Sequence, residues 1–159
     1  MRIYIASSWR NQHAVEMMTD LLRKDNHDVK SFVEESVNRE GRDLEFDVEK
    51  WIESDDGIEK FKYDLSGAIE SDILIYIAPS GCDAWAEVGA AFASKKIIFG
   101  LHAKGEPVGL ARHMAYWYKD YRDIIDTISK YDNKYIDLLP NYLNFFENLD
   151  GQRNFIGRI

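Results

Sequence analysis

The chain alternates short, continuous apolar runs with stretches in which apolar residues recur every three or four positions. Arg2–Ala6 (RIYIA) is the first run and reads as a buried strand. From about residue 10 to 25, Val15, Met18, Leu21 and Leu22 fall at helical spacing, and Asp25-Asn26 ends the run. Residues 28–33 (DVKSFV) alternate and predict a second strand, while 34–43 is polar and reads as loop. Leu44, Val48, Trp51 and Ile52 then share one helical face. A further helix, about 57–70, is expected to turn Phe61, Leu65, Ala68 and Ile69 inward. After Asp72 comes ILIYIAP, an unbroken apolar run of the kind made by a central parallel strand buried on both faces. Residues 84–94 (AWAEVGAAFAS) predict a helix rich in small residues, suited to close packing on a sheet. Strands follow at 96–101 (KIIFGL) and, shorter, at 114–118, then a helix around 121–130. Residues 135–149 also look helical and begin a C-terminal extension over about 135–159.

Strand and helix thus alternate along a single domain spanning 1–159, with no internal repeat or linker. This order predicts an α/β fold: a doubly wound, flavodoxin-like or Rossmann-like parallel sheet of about five strands, with helices on both faces. Ligands of such sheets collect beyond the carboxyl ends of the strands. Two loops therefore matter most, Ser7-Ser8-Trp9-Arg10 after the first strand and 79–83 after ILIYIA.

Composition narrows the partners. The formal net charge is −8 and no basic run is present, which argues against nucleic-acid polymers and anionic membrane surfaces and leaves small molecules open. Cys82 is the only cysteine, so no intramolecular disulfide can form, which suits a reducing cytoplasm. The opening MRIYIASSWRNQH turns polar too soon for a signal peptide, and no segment approaches the roughly 20 apolar residues of a membrane span. The expectation is a cytoplasmic protein.

Candidate chemistry centres on Glu87, the sole charge between Asp83 and Lys95. With alanines for helical neighbours it has no local cation, and an isolated carboxylate against apolar surface tends toward a raised pKa. The other reading, a residue near a helix N-terminus pointing to water, is equally open from position alone. Asp64 leans toward the sheet side of its helix and is a second candidate; Asp72 reads as a loop or capping residue at the amino end of its strand. The SSWR loop offers two hydroxyls, an indole and a guanidinium, suited to a planar hydrogen-bonding ligand. It also fits plain capping by Ser8 and packing of Trp9. There is no G-x-G-x-x-G after the first strand, no P-loop and no G-x-S-x-G elbow. The four histidines (His13, His27, His102, His113) are scattered, so neither a metal nor another cofactor is expected.

Three stretches together resemble the nucleoside 2-deoxyribosyltransferase superfamily, which includes deoxynucleotide and cytidylate N-glycosidases. They are IYIASSW, DLSGAIESDILIYIAP and AEVGAAFASKKIIFGL, in the same order and spacing over roughly residues 1–10 and 61–101. The resemblance implies that Glu87 is the nucleophile that attacks the anomeric carbon, as in a retaining glycosidase. It implies that Asp64 touches the base or assists its departure, that Tyr4 orients the nucleophile, and that Ser7, Ser8, Trp9 and Arg10 shape the base pocket. It also implies a homodimer or larger homo-oligomer. Residues 81–86 depart from the small-residue pattern: Ser80 is the one serine left near a phosphate position, Asp83 puts a negative charge there, and Trp85 is a bulky wall. Like charges repel in a partly dry pocket, so the expected substrate is a nucleoside or similar uncharged glycoside in preference to a nucleotide. The expected activity is N-glycosidic hydrolysis or transfer. The alternatives are an inactive nucleoside- or nucleotide-binding sensor, favoured by the altered 81–86 loop, and an assembly role suggested by Tyr135, Tyr142, Phe145 and Phe146.

Overall fold

β1 (Arg2–Ala6) sends Ile3 and Ile5 to one face of a sheet and Tyr4 and Ala6 to the other, all four buried. This two-sided burial marks a central strand of a parallel sheet. A computed structural model of the chain describes residues 1–34, 47–106 and 109–131. In it β1 is flanked by β2 (Asp28–Ser31) and β3 (Ile73–Ile77), and the sheet continues through β4 (Ile97–Leu101) to β5 (Tyr116–Tyr118). The strand order is β2-β1-β3-β4-β5 and every pairing is parallel. That is the doubly wound, flavodoxin-like arrangement expected from the alternation of strand and helix. β3 is buried at all five positions.

Two hydrophobic cores lie on the two faces. α1 (Gln12–Lys24) and α5 (Tyr121–Tyr131) cover Ile3, Ile5, Ile73, Ile75 and Phe99 with Val15, Met18, Leu22, Ile124 and Ile128. α3 (Asp55–Glu70) and α4 (Cys82–Ala93) cover Tyr4, Leu74, Tyr76 and Ile98 with Ala68, Ala84, Val88 and Ala91. The small residues of α4 let it lie close to the sheet. α1 stops where Asn26 takes a left-handed φ of 62°, a conformation asparagine tolerates, and the His27 N–H returns to the Leu22 carbonyl. α3 starts at Ser54, whose hydroxyl accepts from the Gly57 N–H, with Asp55 and Asp56 in the first turn where the helix dipole favours them.

The expected orientation of α3 is corrected by the structure. Ala68 is buried, but Phe61 is 64% and Ile69 38% exposed, and Leu65 is only partly covered. The residues that face the sheet are Lys60, Asp64, Gly67 and Ala68, small or polar and at helical spacing, while Gly57 is buried against the Trp51 and Ile52 carbonyls at the end of the preceding helix. The cause is a close approach: a Cβ on Gly67 would lie 2.4 Å from the Tyr4 ring. Only that face of α3 is thin enough to reach Tyr4. Likewise Trp51 and Ile52 are exposed on α2 (Val48–Ile52), not packed inward. The second strand ends at Ser31, with Phe32 and Val33 buried just beyond it. Leu44 and the helix expected at 135–149 lie outside the described residues. Among the described residues no helix is long and apolar enough to cross a membrane.

Candidate active site

α3, α4 and β1 bring three of the expected residues together. Tyr4, on the even face of β1, donates its hydroxyl proton to Asp64 Oδ1 at 3.0 Å, across 60 positions of sequence. Glu87 reaches the same point from α4, and the Tyr4 hydroxyl lies close enough to favour its charged form. Glu87 is the sixth residue of α4, so the helix dipole, strongest in the first turn, does little for it. Its Oε2 is buried and has no hydrogen-bond partner.

The electrostatics follow from crowding. Burial, then the charge on Asp64, push the Glu87 carboxyl up from an ordinary 4.5 to about 8; Asp83 adds to this, while Lys60 and the Tyr4 hydroxyl oppose it. Burial also raises Asp64, against the pull of Lys60 and the Tyr4 hydrogen bond. Tyr4 itself is held firmly protonated by burial and by the two carboxylates it faces. The arrangement is a carboxyl with one buried, unpartnered oxygen, a second carboxylate on the neighbouring helix, and a phenol that donates its proton to that second carboxylate.

The first loop is built mainly into the scaffold. Ser7 Oγ donates to the Ile77 carbonyl at 2.7 Å, and Asn11 Nδ2 donates to Ser7 Oγ at 2.9 Å and to the Pro79 carbonyl at 2.9 Å. These bonds strap the loop after β1 to the loop after β3. Ser8 Oγ accepts from the Arg10 N–H and caps the 3-10 turn Trp9–Asn11 that leads into α1. Trp9 packs edge-on against Phe32 at 5.1 Å yet stays partly open to solvent, and Arg10 is exposed.

Trp85 turns away from Glu87, because residues two apart on a helix point to different sides, whereas Asp83, one turn before Glu87, shares its side. Trp85 leans on Tyr76 at 4.8 Å between ring centres and donates its indole N–H to Glu106 Oε1 at 2.9 Å. Glu106 is buried and also accepts the Tyr76 hydroxyl at 2.7 Å and the Ser80 N–H at 3.2 Å. Ser80 Oγ is buried without a partner, and Asp83 is exposed in the first turn of α4. Asp72 pairs with Arg2 through the Arg2 N–H at 2.8 Å and the guanidinium at 3.0 Å, at the amino end of the sheet and away from this cluster.

Three residues of the site escaped the sequence reading. Lys60 binds Asp64 Oδ1 from one turn earlier on α3; its spacing from Asp64 is a helix ion-pair signal that could have flagged it. Asn11 carries no local signal for its bridging role. Glu106 sits in a loop far along the chain, and only the fold brings it to Ser80 and Trp85. Among the described residues no group of three or more His, Cys, Asp or Glu is arranged to hold a metal ion.

No protein-family profile and no curated protein sequence matches the chain. Solved structures do. A 2-deoxyribosyltransferase from the psychrotolerant bacterium Bacillus psychrosaccharolyticus superposes with a TM-score of 0.60 at 23% identity, over 78% of this chain and 90% of that one. The CMP N-glycosidase BcmB of Clostridium botulinum superposes with a TM-score of 0.52 at 17% identity, over 80% of this chain and 98% of that one. At these identities the likeness is one of fold: the chain has the α/β fold shared by a nucleoside deoxyribosyltransferase and a nucleotide N-glycosidase.

Proposed function

We propose that this protein cleaves or transfers the N-glycosidic bond of a nucleoside-like substrate, with Glu87 as nucleophile. The observation that carries the reading is the buried, unpartnered Glu87 Oε2 beside Tyr4 and Asp64. The shared fold with two enzymes that act on N-glycosidic bonds supports it. In the reaction, the Glu87 carboxylate attacks the anomeric carbon, the carbon–nitrogen bond breaks, and the departing base carries off the bonding pair and takes up a proton. Attack by water or by a second base on the glycosyl ester then releases Glu87, with retention overall. Asp64, held by Tyr4 and Lys60, faces the leaving base. Asp83 at the amino end of α4, and Glu106 already on the Ser80 N–H, leave that loop poorly suited to a 5′-phosphate, so a nucleoside is favoured over a nucleotide.

Free base released from a panel of nucleosides and their 5′-monophosphates is the direct test. Release from nucleosides, absent in Glu87→Ala, is expected; release that survives the substitution unchanged would sink the assignment. A 2-fluoro nucleoside analogue should leave a sugar adduct on the Glu87 peptide, seen by mass spectrometry. Ligand binding with no base released from any member would point to the sensor reading instead.

The proposal includes self-association. Ile58, Phe61 and Ile69 are exposed along one side of α3, at spacings of three and eight residues that keep them in one row. Light scattering is expected to give a dimer or larger, and Phe61→Asp to lower the apparent mass; a wild-type monomer at all concentrations contradicts this.

A further inference from the structure

We propose that Lys60 is a positioning residue of the Glu87 site, holding Asp64 as the fixed partner of Tyr4 and setting the conditions under which Glu87 can act. Its kinetic consequence rests on the N-glycosidic reading above; its structural consequence does not.

Lys60 is not an ordinary surface lysine. Its side chain is 13% exposed and that of Asp64, its ion-pair partner, 18%. Its ammonium lies 5.6 Å from the centre of the Tyr63 ring and 5.9 Å from that of Phe32, so two aromatic faces confine it. A lysine this enclosed has given up most of its hydration, and the charge-assisted bond to Asp64 offsets that loss. Both Lys60 and the Tyr4 hydroxyl bind the same oxygen, Asp64 Oδ1. That double contact fixes the plane of the carboxylate and aims the Tyr4 hydroxyl along one direction.

The groups facing Glu87 show why the cation matters. Tyr4 faces it from β1, Asp64 and Lys60 from α3, and Asp83 from its own helix. Lys30 on β2 rests over the Tyr63 ring, its Nζ 5.7 Å from the ring centre. Lys60 is a cation set against Glu87, Asp64 and Asp83. Without it, Asp64 and Glu87 face each other with no cation set against them, and the Glu87 carboxyl, already protonated up to about pH 8, holds its proton to higher pH still.

The test uses the full chain with Lys60→Met, which keeps the apolar stem against Phe32 and Tyr63, with Lys60→Gln as a second neutral variant and Lys60→Arg as the charge-preserving one. The Glu87 titration is read by carbon-13 NMR of side-chain-labelled glutamate, assigned with Glu87→Gln. In Lys60→Met or Lys60→Gln the Glu87 midpoint is expected to move up by about one pH unit or more, and in Lys60→Arg to return toward wild type. Where base release is measurable, the rising limb of kcat/KM moves by the same amount, with kcat more affected than KM. A Glu87 midpoint unchanged in folded Lys60→Met and Lys60→Gln overturns the proposal. A midpoint that moves in a protein releasing no base supports the positioning role and places the failure in the N-glycosidic reading.

Discussion

Glu87→Gln is expected to cost at least ~10³-fold in base release and, at the same time, to stabilise the fold at neutral and alkaline pH. Both effects come from one cause. The carboxyl is pushed to about 8 by burial and by Asp64, against 4.5 for an ordinary glutamate. Below about pH 4.5 it is protonated whether the chain is folded or not, and nothing is lost. Between 4.5 and 8 the unfolded chain releases the proton while the folded one keeps it, so stability falls as pH rises. Above about 8 the folded state carries the full cost of a dry anion. At roughly 1.4 kcal/mol per pKa unit this amounts to about 5 kcal/mol, which glutamine avoids. Thermal melts should therefore show wild type and Glu87→Gln close together near pH 4 and diverging up to pH 8–9, the variant melting higher. Melting curves that stay parallel across this range would contradict the burial of the charge. The same ionisation sets the rate: a nucleophile must be anionic, so wild-type kcat/KM should rise through about pH 8. A profile that falls through that pH would instead make the protonated carboxyl the active form and Glu87 an acid.

Gly67→Ala is the second large effect. Alanine is normally better than glycine inside a helix by about 1 kcal/mol. Here the new methyl would lie 2.4 and 2.6 Å from two carbons of the Tyr4 ring, and Tyr4 is fully buried with no free direction to move. Overpacking of this kind costs about 1–3 kcal/mol, enough to reverse the helical gain. More important, either the ring or α3 must shift, and each shift separates the Tyr4 hydroxyl from Asp64. Denaturation should show a net loss of stability, and base release should fall at least ~10²-fold, a cost of the size that misplacing a site by about 1 Å brings. Gly89 is the control. It lies in α4 two residues after Glu87, and a Cβ there meets nothing within 4 Å. Gly89→Ala should gain up to about 1 kcal/mol and leave activity near wild type.

These two glycines show where reading the chain succeeds and where it cannot. The pattern of apolar runs was enough to place β1, β3 and β4, because a strand buried on both faces must be apolar throughout, whatever it packs against. It placed α1 for the complementary reason, since Val15, Met18 and Leu22 bury one stripe and leave the other face polar. For α3 the same rule pointed the wrong way. The row Ile58, Phe61, Ile69 is the apolar one, yet the row Lys60, Asp64, Gly67 faces the sheet. Periodicity assumes that the buried face is the hydrophobic one. That assumption fails where a polar site is inserted between helix and sheet, which is also where function concentrates.

The residues of the sequence thus determined the α/β order, the parallel sheet and the candidacy of Tyr4, Asp64 and Glu87, because each is legible from local pattern or from motifs a few residues long. Tertiary structure decided which face of α3 turns inward, that the Tyr4 hydroxyl binds Asp64, that Lys60 is enclosed with them, and that Glu106 holds Ser80 and Trp85 from a distant loop. Those are contacts between segments far apart along the chain. Their geometry depends on how closely two backbones can approach, at Gly67 above all, and no single segment carries that information.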